Sequence, residues 1–251
     1  MSEFLSLAEA RERPGLRLAV LRGFPSPWSQ AAKGLLHLKK IPYLACAAGK
    51  GEGEADLVAW TGQASYPAAM YEDEAPRSGW AEILLLAERL GPEPPLLPKN
   101  AARRALCFGL AHEICGEMGL GWCRRLCAVA AGYRSDPPDP LAVWLGGKYG
   151  YRPDSAAGAE GRVVEVLGLL DDTLRAGGGE YLLGELSAID VYWATFCNLL
   201  TPLPPEKMPM NERMRATFTA REPAVLAALS PELIALRDRV YQRHLVLPVA
   251  L

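Results

Sequence analysis

Ser26 stands between two prolines in the run Phe24-Pro25-Ser26-Pro27-Trp28-Ser29. Proline has no N–H to donate to a strand ladder, but it is tolerated at the first position of a helix. A serine just before such a proline suits the N-cap, where a hydroxyl lies beside the first free amides of the helix. That combination suits an anion, including a thiolate, because the helix dipole and the amide donors both favour negative charge. Ser29 is a second hydroxyl, one turn further in. A second chemical element is Tyr66-Pro67. If that bond is cis, which holds for only about 5–6% of X-Pro bonds, the Tyr66 backbone is aimed outward and can pair with an extended ligand. Ser78 opens a further helix and offers a third hydroxyl at a helix start.

The surrounding pattern supplies the elements that must position these groups. Leu16, Leu18 and Val20 alternate with Arg17, Ala19 and Leu21, the period of a strand. From Trp28 the apolar residues recur at helical period through Leu38, with Lys33, His37, Lys39 and Lys40 on the other face. Pro42 bars further helix, and Tyr43 to Cys46 form a second strand. A strand feeding a helix through a short turn puts that turn at the carboxyl edge of the sheet, where open α/β sheets bind ligands. Residues 1–14 read as a mobile lead-in, and Gly49 to Glu54 as a loop. Ala55 to Trp60 form a short helix, Ala68 to Glu72 a third strand, and a helix with an apolar stripe follows from Ser78. Gly91 and Pro92 end that helix, and Pro92 to Pro98 are stiff and extended.

Everything beyond reads as helical. Helices are expected over Ala101 to Met118, Trp122 to Ala131 and Ala156 to Ala176, with residues 132–153 as a long loop holding one helical turn at most. Ser187 and Asp190 form a capping box with Leu186 and Val191 at the staple positions. Later helices start at Pro223 and Pro231. The expected division is 1–91, an α/β domain; 92–98, a linker; and 99–251, an all-helical domain.

The chain has 251 residues, half of them hydrophobic and 22% charged, with a formal net charge of −2. Neither half has the basic field of a nucleic-acid binder, and no apolar run approaches membrane-spanning length. The start of the chain lacks a basic segment followed by an apolar core, which points to the cytoplasm. The six cysteines have no C-x-x-C spacing and read as small core residues. His112 and Cys115 share a helix face, but no further ligands stand at metal-site spacing, so no metal is expected.

The S-P-W-S turn, the pre-strand Pro67 and the Ser187–Asp190 box after Leu182-Leu183-Gly184 together resemble the cytosolic glutathione transferases, in a divergent, serine-type form. The resemblance covers nearly the whole chain. It implies a thioredoxin-like α/β domain plus an all-α domain, a homodimer, and glutathione as co-substrate with no covalently bound cofactor. It gives Ser26 the role of hydrogen-bonding the glutathione sulfur, so that the thiolate attacks a small electrophile held between the domains. Tyr66, before Pro67, would pair with the cysteinyl part of glutathione through its backbone. Ser78 and Arg77 stand where the family holds the γ-glutamyl group, but with arginine in place of the usual acid. Arg77 would hold a carboxylate and repel an α-ammonium, which leaves a different acidic thiol or ligand open. Trp28 and Trp122 are the candidates for the electrophile pocket. The implied activity is conjugation of the kind used in detoxification. Its alternatives are a non-catalytic binding or assembly protein of the same fold, and a glutathione-dependent disulfide reductase.

Overall fold

The structure is a computed structural model describing residues 4–48 and 54–251. Residues 49–53 of the expected loop lie outside the described residues. The chain forms two compact units. One comprises Met1–Leu97 with Pro205–Met210 and Tyr241–Leu251, the other Pro98–Pro204 with Asn211–Val240. The return of the two late tracts to the first unit has no signature in the hydrophobic pattern.

The first unit carries, in order, α1 (Leu7–Arg11), β1 (Leu16–Ala19), α2 (Pro27–Leu38), β2 (Leu44–Cys46), α3 (Glu54–Thr61), β3 (Ala68–Tyr71) and α4 (Trp80–Leu90). The strand order is β2-β1-β3, with β2 parallel and β3 antiparallel to β1. Leu16, Leu18 and Val20 pack with Ala32 and Leu36 of α2 and Ile83, Leu86 and Ala87 of α4 on one face. Leu7, Ala10, Leu57 and Met70 fill the other face with Ala19 and Cys46. Because helices cover both faces, β1 is buried at every position, Arg17 included. The Arg17 guanidinium donates through Nη1 and Nη2 to the Gly15 and Glu72 carbonyls, at 2.7 and 2.9 Å, while its buried Nε has no hydrogen-bond partner among the described residues.

Residues 4–14 are not a mobile lead-in. Ser6 and Glu9 form a reciprocal capping box that starts α1, and Leu5 bridges to Cys46 on the outer side of β2. On the opposite flank Arg77 bridges to Ala69 of β3. At the C-cap of α2, Lys39 is wholly buried and donates to the carbonyls of Gly91 (2.6 Å) and Pro94 (2.9 Å), tying the proline-rich stretch to this unit. The late tracts are fastened here as well. Val249 N–H donates to the Lys207 carbonyl at 2.8 Å, and the Ala250 carbonyl accepts from Gln30 Nε2 and Lys33 Nζ of α2.

The second unit is built from helices: α5 (Ala101–Cys115), α6 (Leu120–Tyr133), α7 (Pro140–Lys148), α8 (Ala159–Ala176), α9 (Ala188–Phe196), α10 (Glu212–Phe218), α11 (Pro223–Ala228) and α12 (Pro231–His244), the last crossing back into the first unit at Tyr241. α9 is buried along its whole length and is the centre of the core. Its start is held by Asp190, whose carboxylate accepts from the N–H of Ser187 (2.9 Å), the Ser187 hydroxyl (2.9 Å) and the N–H of Leu182 (2.8 Å). Trp193 donates its indole N–H to the Leu233 carbonyl at 2.9 Å, joining α9 to α12. The stretch 132–153 is not mainly loop. Asp139 caps α7 through bonds from the N–H groups of Leu141 and Ala142, and Pro140 takes the first helical position. No helix of the described residues is long and apolar enough to cross a membrane, and no cluster of three or more potential metal ligands occurs among them.

Candidate functional site

Register brings the candidate residues of the first unit together. Ala19, the end of β1, pairs with Ala68, the start of β3, and with Cys46, the end of β2. The turn that leaves β1 toward Ser26 and the Tyr66–Pro67 dipeptide that enters β3 therefore lie at one edge of the sheet. The antiparallel bridge between Ala69 and Arg77 returns the chain alongside β3, so Ser78 heads back toward the Pro67 end. Three segments far apart in sequence thus share one edge.

Ser26 is the residue before α2, with Pro27 at its first position. Its carbonyl accepts the N–H of Gln30 at 2.9 Å, and its own N–H donates to the Phe24 carbonyl at 2.9 Å. The expected hydroxyl cap is not made: the side chain bonds none of the first-turn amides. Ser26 is 6% exposed, and its hydroxyl bonds none of the described residues. Ser29 differs. It is 1% exposed, and its Oγ is sealed away without a hydrogen-bond partner.

The Tyr66–Pro67 bond is cis. Pro67 is buried, and Tyr66 is half-buried against the cluster that includes Leu57 and Met70. Ser78 does not start the helix. Gly79 is the N-cap of α4, and Ser78 stands one residue outside it, exposed. The capping is done by Glu82, whose carboxylate accepts from the N–H of Gly79 (2.9 Å) and of Ser78 (3.2 Å). Glycine carries no side chain to cap with, so the acid three residues on takes the amides. Arg77 is not a free cation: its guanidinium is bonded to Glu74 and to the Ala75 carbonyl at 3.0 Å. Glu74 also accepts from Arg89 at 2.6 Å. The two guanidinium groups, Arg89 foremost, hold the Glu74 carboxyl below the usual range. Glu74 and Glu82 are the members of this edge that sequence reasoning passes over, since each acts through partners three to fifteen residues away.

Trp28 is half-buried in the first turn of α2. Trp122 belongs to the second unit, where it is engaged in a stack. The Arg125 guanidinium lies 4.3 Å from the Trp122 ring centroid and 3.8 Å from that of Tyr149, and the two rings meet edge to face at 6.5 Å. Burial of Arg125 in this sandwich lowers its pKa.

None of the six cysteines is in a disulfide. Burial pushes the thiols of Cys46 and Cys197 up to about 12 and that of Cys123 to about 11. These groups are protonated at neutral pH and serve as packing. An incoming thiol is a different matter. The sheet edge presents an uncommitted hydroxyl at the N-terminus of a twelve-residue helix, and both favour a thiolate over a thiol.

No protein-family model and no curated protein matches the chain. Solved structures do. A glutathione transferase family member from Pseudomonas fluorescens Pf-5, with two glutathione molecules bound, is 15% identical with a TM-score of 0.64, over 94% of either chain. A glutathione transferase from Pseudomonas putida, with one glutathione disulfide bound per subunit, is 16% identical with a TM-score of 0.64, over 93% of this chain and 90% of that one. Glutathione transferase Omega 3C from Trametes versicolor is 17% identical with a TM-score of 0.60, over 94% of this chain and 89% of that one. Together with the mixed three-stranded sheet and the helical second unit, these likenesses give the chain the glutathione transferase fold, a thioredoxin-like α/β unit joined to an all-α one.

Proposed function

We propose that the chain conjugates glutathione to a small electrophile, with Ser26 donating a hydrogen bond to the glutathione sulfur. The observation that carries this reading is the Ser26 hydroxyl, which is spent on no cap of its own helix and stands at the sheet edge shared with Tyr66–Pro67. The thiol proton leaves to solvent, the thiolate forms a bond to the electrophilic carbon, and the leaving group departs with its electron pair. The hydroxyl and the α2 N-terminus stabilise the anion before and during attack. Ser29, whose hydroxyl is buried without a partner among the described residues, is the weaker candidate for the role. The backbone of Tyr66 is assigned to the cysteinyl part of glutathione, Ser78 and Arg77 to its γ-glutamyl end, and Trp28 and Trp122 to the electrophile. On this reading residues 1–91 are the glutathione-binding domain, 92–98 the linker, and 99–251 the all-helical domain. The reading also implies a homodimer that clears electrophiles in the cytoplasm.

The test is the titration of bound glutathione, followed by thiolate absorbance, together with turnover of an aryl chloride. Ser26→Ala should raise the bound thiol pKa by about one unit or more and slow turnover about tenfold or more at neutral pH. An unchanged pKa and rate would remove Ser26 from the mechanism.

One observation favours a second reading, a binding protein of this fold without the conjugation chemistry. Arg77 stands locked to Glu74 where the resemblance expects a free acid. Calorimetry with glutathione separates the two, since absence of heat at millimolar ligand favours the second.

A further inference from the structure

The helical unit contains a cleft of about 510 Å³ bounded by α6, α7 and α10, within the range of small-ligand sites, about 300–1,000 Å³. Its walls are apolar, formed by Ala128, Val129, Ala131, Leu141, Ala142 and Leu145. The hydrogen-bonding groups around them are mostly engaged already. The hydroxyls of Ser135, Thr217 and Thr219 donate to the carbonyls of Gly132, Arg213 and Arg215. Asp139 accepts from two amides and from Arg213. Glu222 accepts from Arg124 at 2.7 Å and from the Arg221 N–H at 2.9 Å.

What is left over is of one kind. Arg124 is 5% exposed and uses Nε on the Leu199 carbonyl and Nη1 on Glu222, while its Nη2 bonds none of the described residues. The guanidinium of Arg221 likewise bonds none of them. Three arginines line the cleft against two acids, Asp139 and Glu222. Unspent donors, a net positive lining and apolar walls call for an apolar body carrying an acceptor group with negative charge. We infer that this cleft binds an apolar organic anion, a carboxylate on a flat or short aliphatic frame, held by Arg124 and Arg221. The site does not depend on the glutathione reading, because none of its groups belongs to the sheet edge.

Cys127 lines the cleft and is the one free cysteine among the six that is not fully buried, so it reports occupancy. Naphthoate, with naphthalenemethanol as its uncharged counterpart, is titrated into the full chain by calorimetry. Alkylation of Cys127 by a maleimide is followed by mass spectrometry at fixed pH. Naphthoate should slow alkylation several-fold at saturation and bind at least tenfold more tightly than the alcohol. Arg221→Gln, at an exposed position, should weaken naphthoate about tenfold, as loss of one charge-assisted hydrogen bond does, and leave the alcohol unchanged. Ala128→Phe, which fills the cleft, should abolish protection. Equal binding of acid and alcohol, absence of protection, or naphthoate binding untouched by Arg221→Gln would each overturn the inference. Should Ala128→Phe fail to fold, the Arg221→Gln comparison decides alone.

Discussion

Lys39 and Glu88 are joined by an ion pair at 2.6 Å in which the lysine side chain is wholly buried. The same ammonium satisfies two carbonyls of the stretch that follows α4, and Glu88 in turn accepts the N–H of Leu96 at 3.1 Å. Removing the cation takes the ammonium donor from the Gly91 and Pro94 carbonyls and leaves Glu88 with the Leu96 N–H but no counter-charge. Lys39→Met should therefore cost about 2–4 kcal/mol in urea unfolding, below the full penalty for a buried pair because Glu88 keeps some solvent contact. A loss under about 1 kcal/mol would show that water replaces the ammonium.

Asp190 gives a pH dependence with a definite sign. Burial pushes its carboxyl up to about 6, against the pull of three hydrogen bonds in the other direction. The folded state therefore holds this proton more tightly than the unfolded chain, whose aspartates titrate near 3.9. The associated stabilisation is full below about pH 4 and is lost as pH rises to about 6. In Asp190→Asn this slope should vanish. The advantage of the native residue should be largest near pH 4, shrink by about pH 6.5, and stay positive by about 1–3 kcal/mol there, since an amide oxygen cannot replace both carboxylate acceptors. Parallel unfolding curves across that range would place the ordinary pKa at Asp190.

Ser29 and Ser26 should part company under mutation. The Ser29 hydroxyl is buried without a partner, a state that costs about 1–3 kcal/mol. Ser29→Ala should raise the unfolding midpoint or leave it unchanged, with conjugation unaffected. A drop in conjugation comparable to that of Ser26→Ala would contradict the sealing of Ser29.

Arg77 is half-exposed and its pair with Glu74 is shared with Arg89. Arg77→Ala should change stability by less than about 1 kcal/mol. If Ser78 and Arg77 face the γ-glutamyl end of glutathione, the same change should move the KM for glutathione several-fold with little effect on kcat. An unaltered KM would put Arg77 outside the binding edge.

Gly132 of α6 lies against α7 so closely that an added Cβ would stand 2.4 Å from the Cβ of Ala142. Alanine is the better helix former by about 1 kcal/mol, yet the clash is with a short, rigid neighbour. Gly132→Ala should destabilise by about 1–3 kcal/mol, measured by thermal unfolding. A gain in stability would mean that α7 shifts without penalty.

Much of this was legible because single residues carry strong local instructions. Pro27 fixes where α2 starts and Ser187-x-x-Asp190 fixes where α9 starts, both by chemistry confined to one turn. The misses have equally local causes. The Ser6-x-x-Glu9 box has the same form but opens a helix of five residues, too short for hydrophobic periodicity to announce it. Asp139-Pro140 is a cap followed by a proline start, hidden by the glycines and prolines around it. The alternation of Arg17 with Leu16 and Leu18 marks a strand, but pattern alone does not show that helices cover both sheet faces and bury Arg17 as well. The engagement of Arg77 by Glu74 and the encirclement of the α6–α7–α10 cleft depend on side chains meeting across turns and helices, which spacing cannot encode.

The flanks of the small sheet have a consequence for self-association. Leu5 occupies the outer side of β2, with its N–H on the Ala45 carbonyl and its own carbonyl taken by Ala47, both at 3.1 Å. Arg77 does the same for β3 through reciprocal bonds with Ala69. A foreign strand arriving at either side finds backbone valences already used, and would have to peel off a native segment before it could add on. Fibril-like stacking through this sheet is thereby blocked by two short pieces of chain, neither of which is itself a strand.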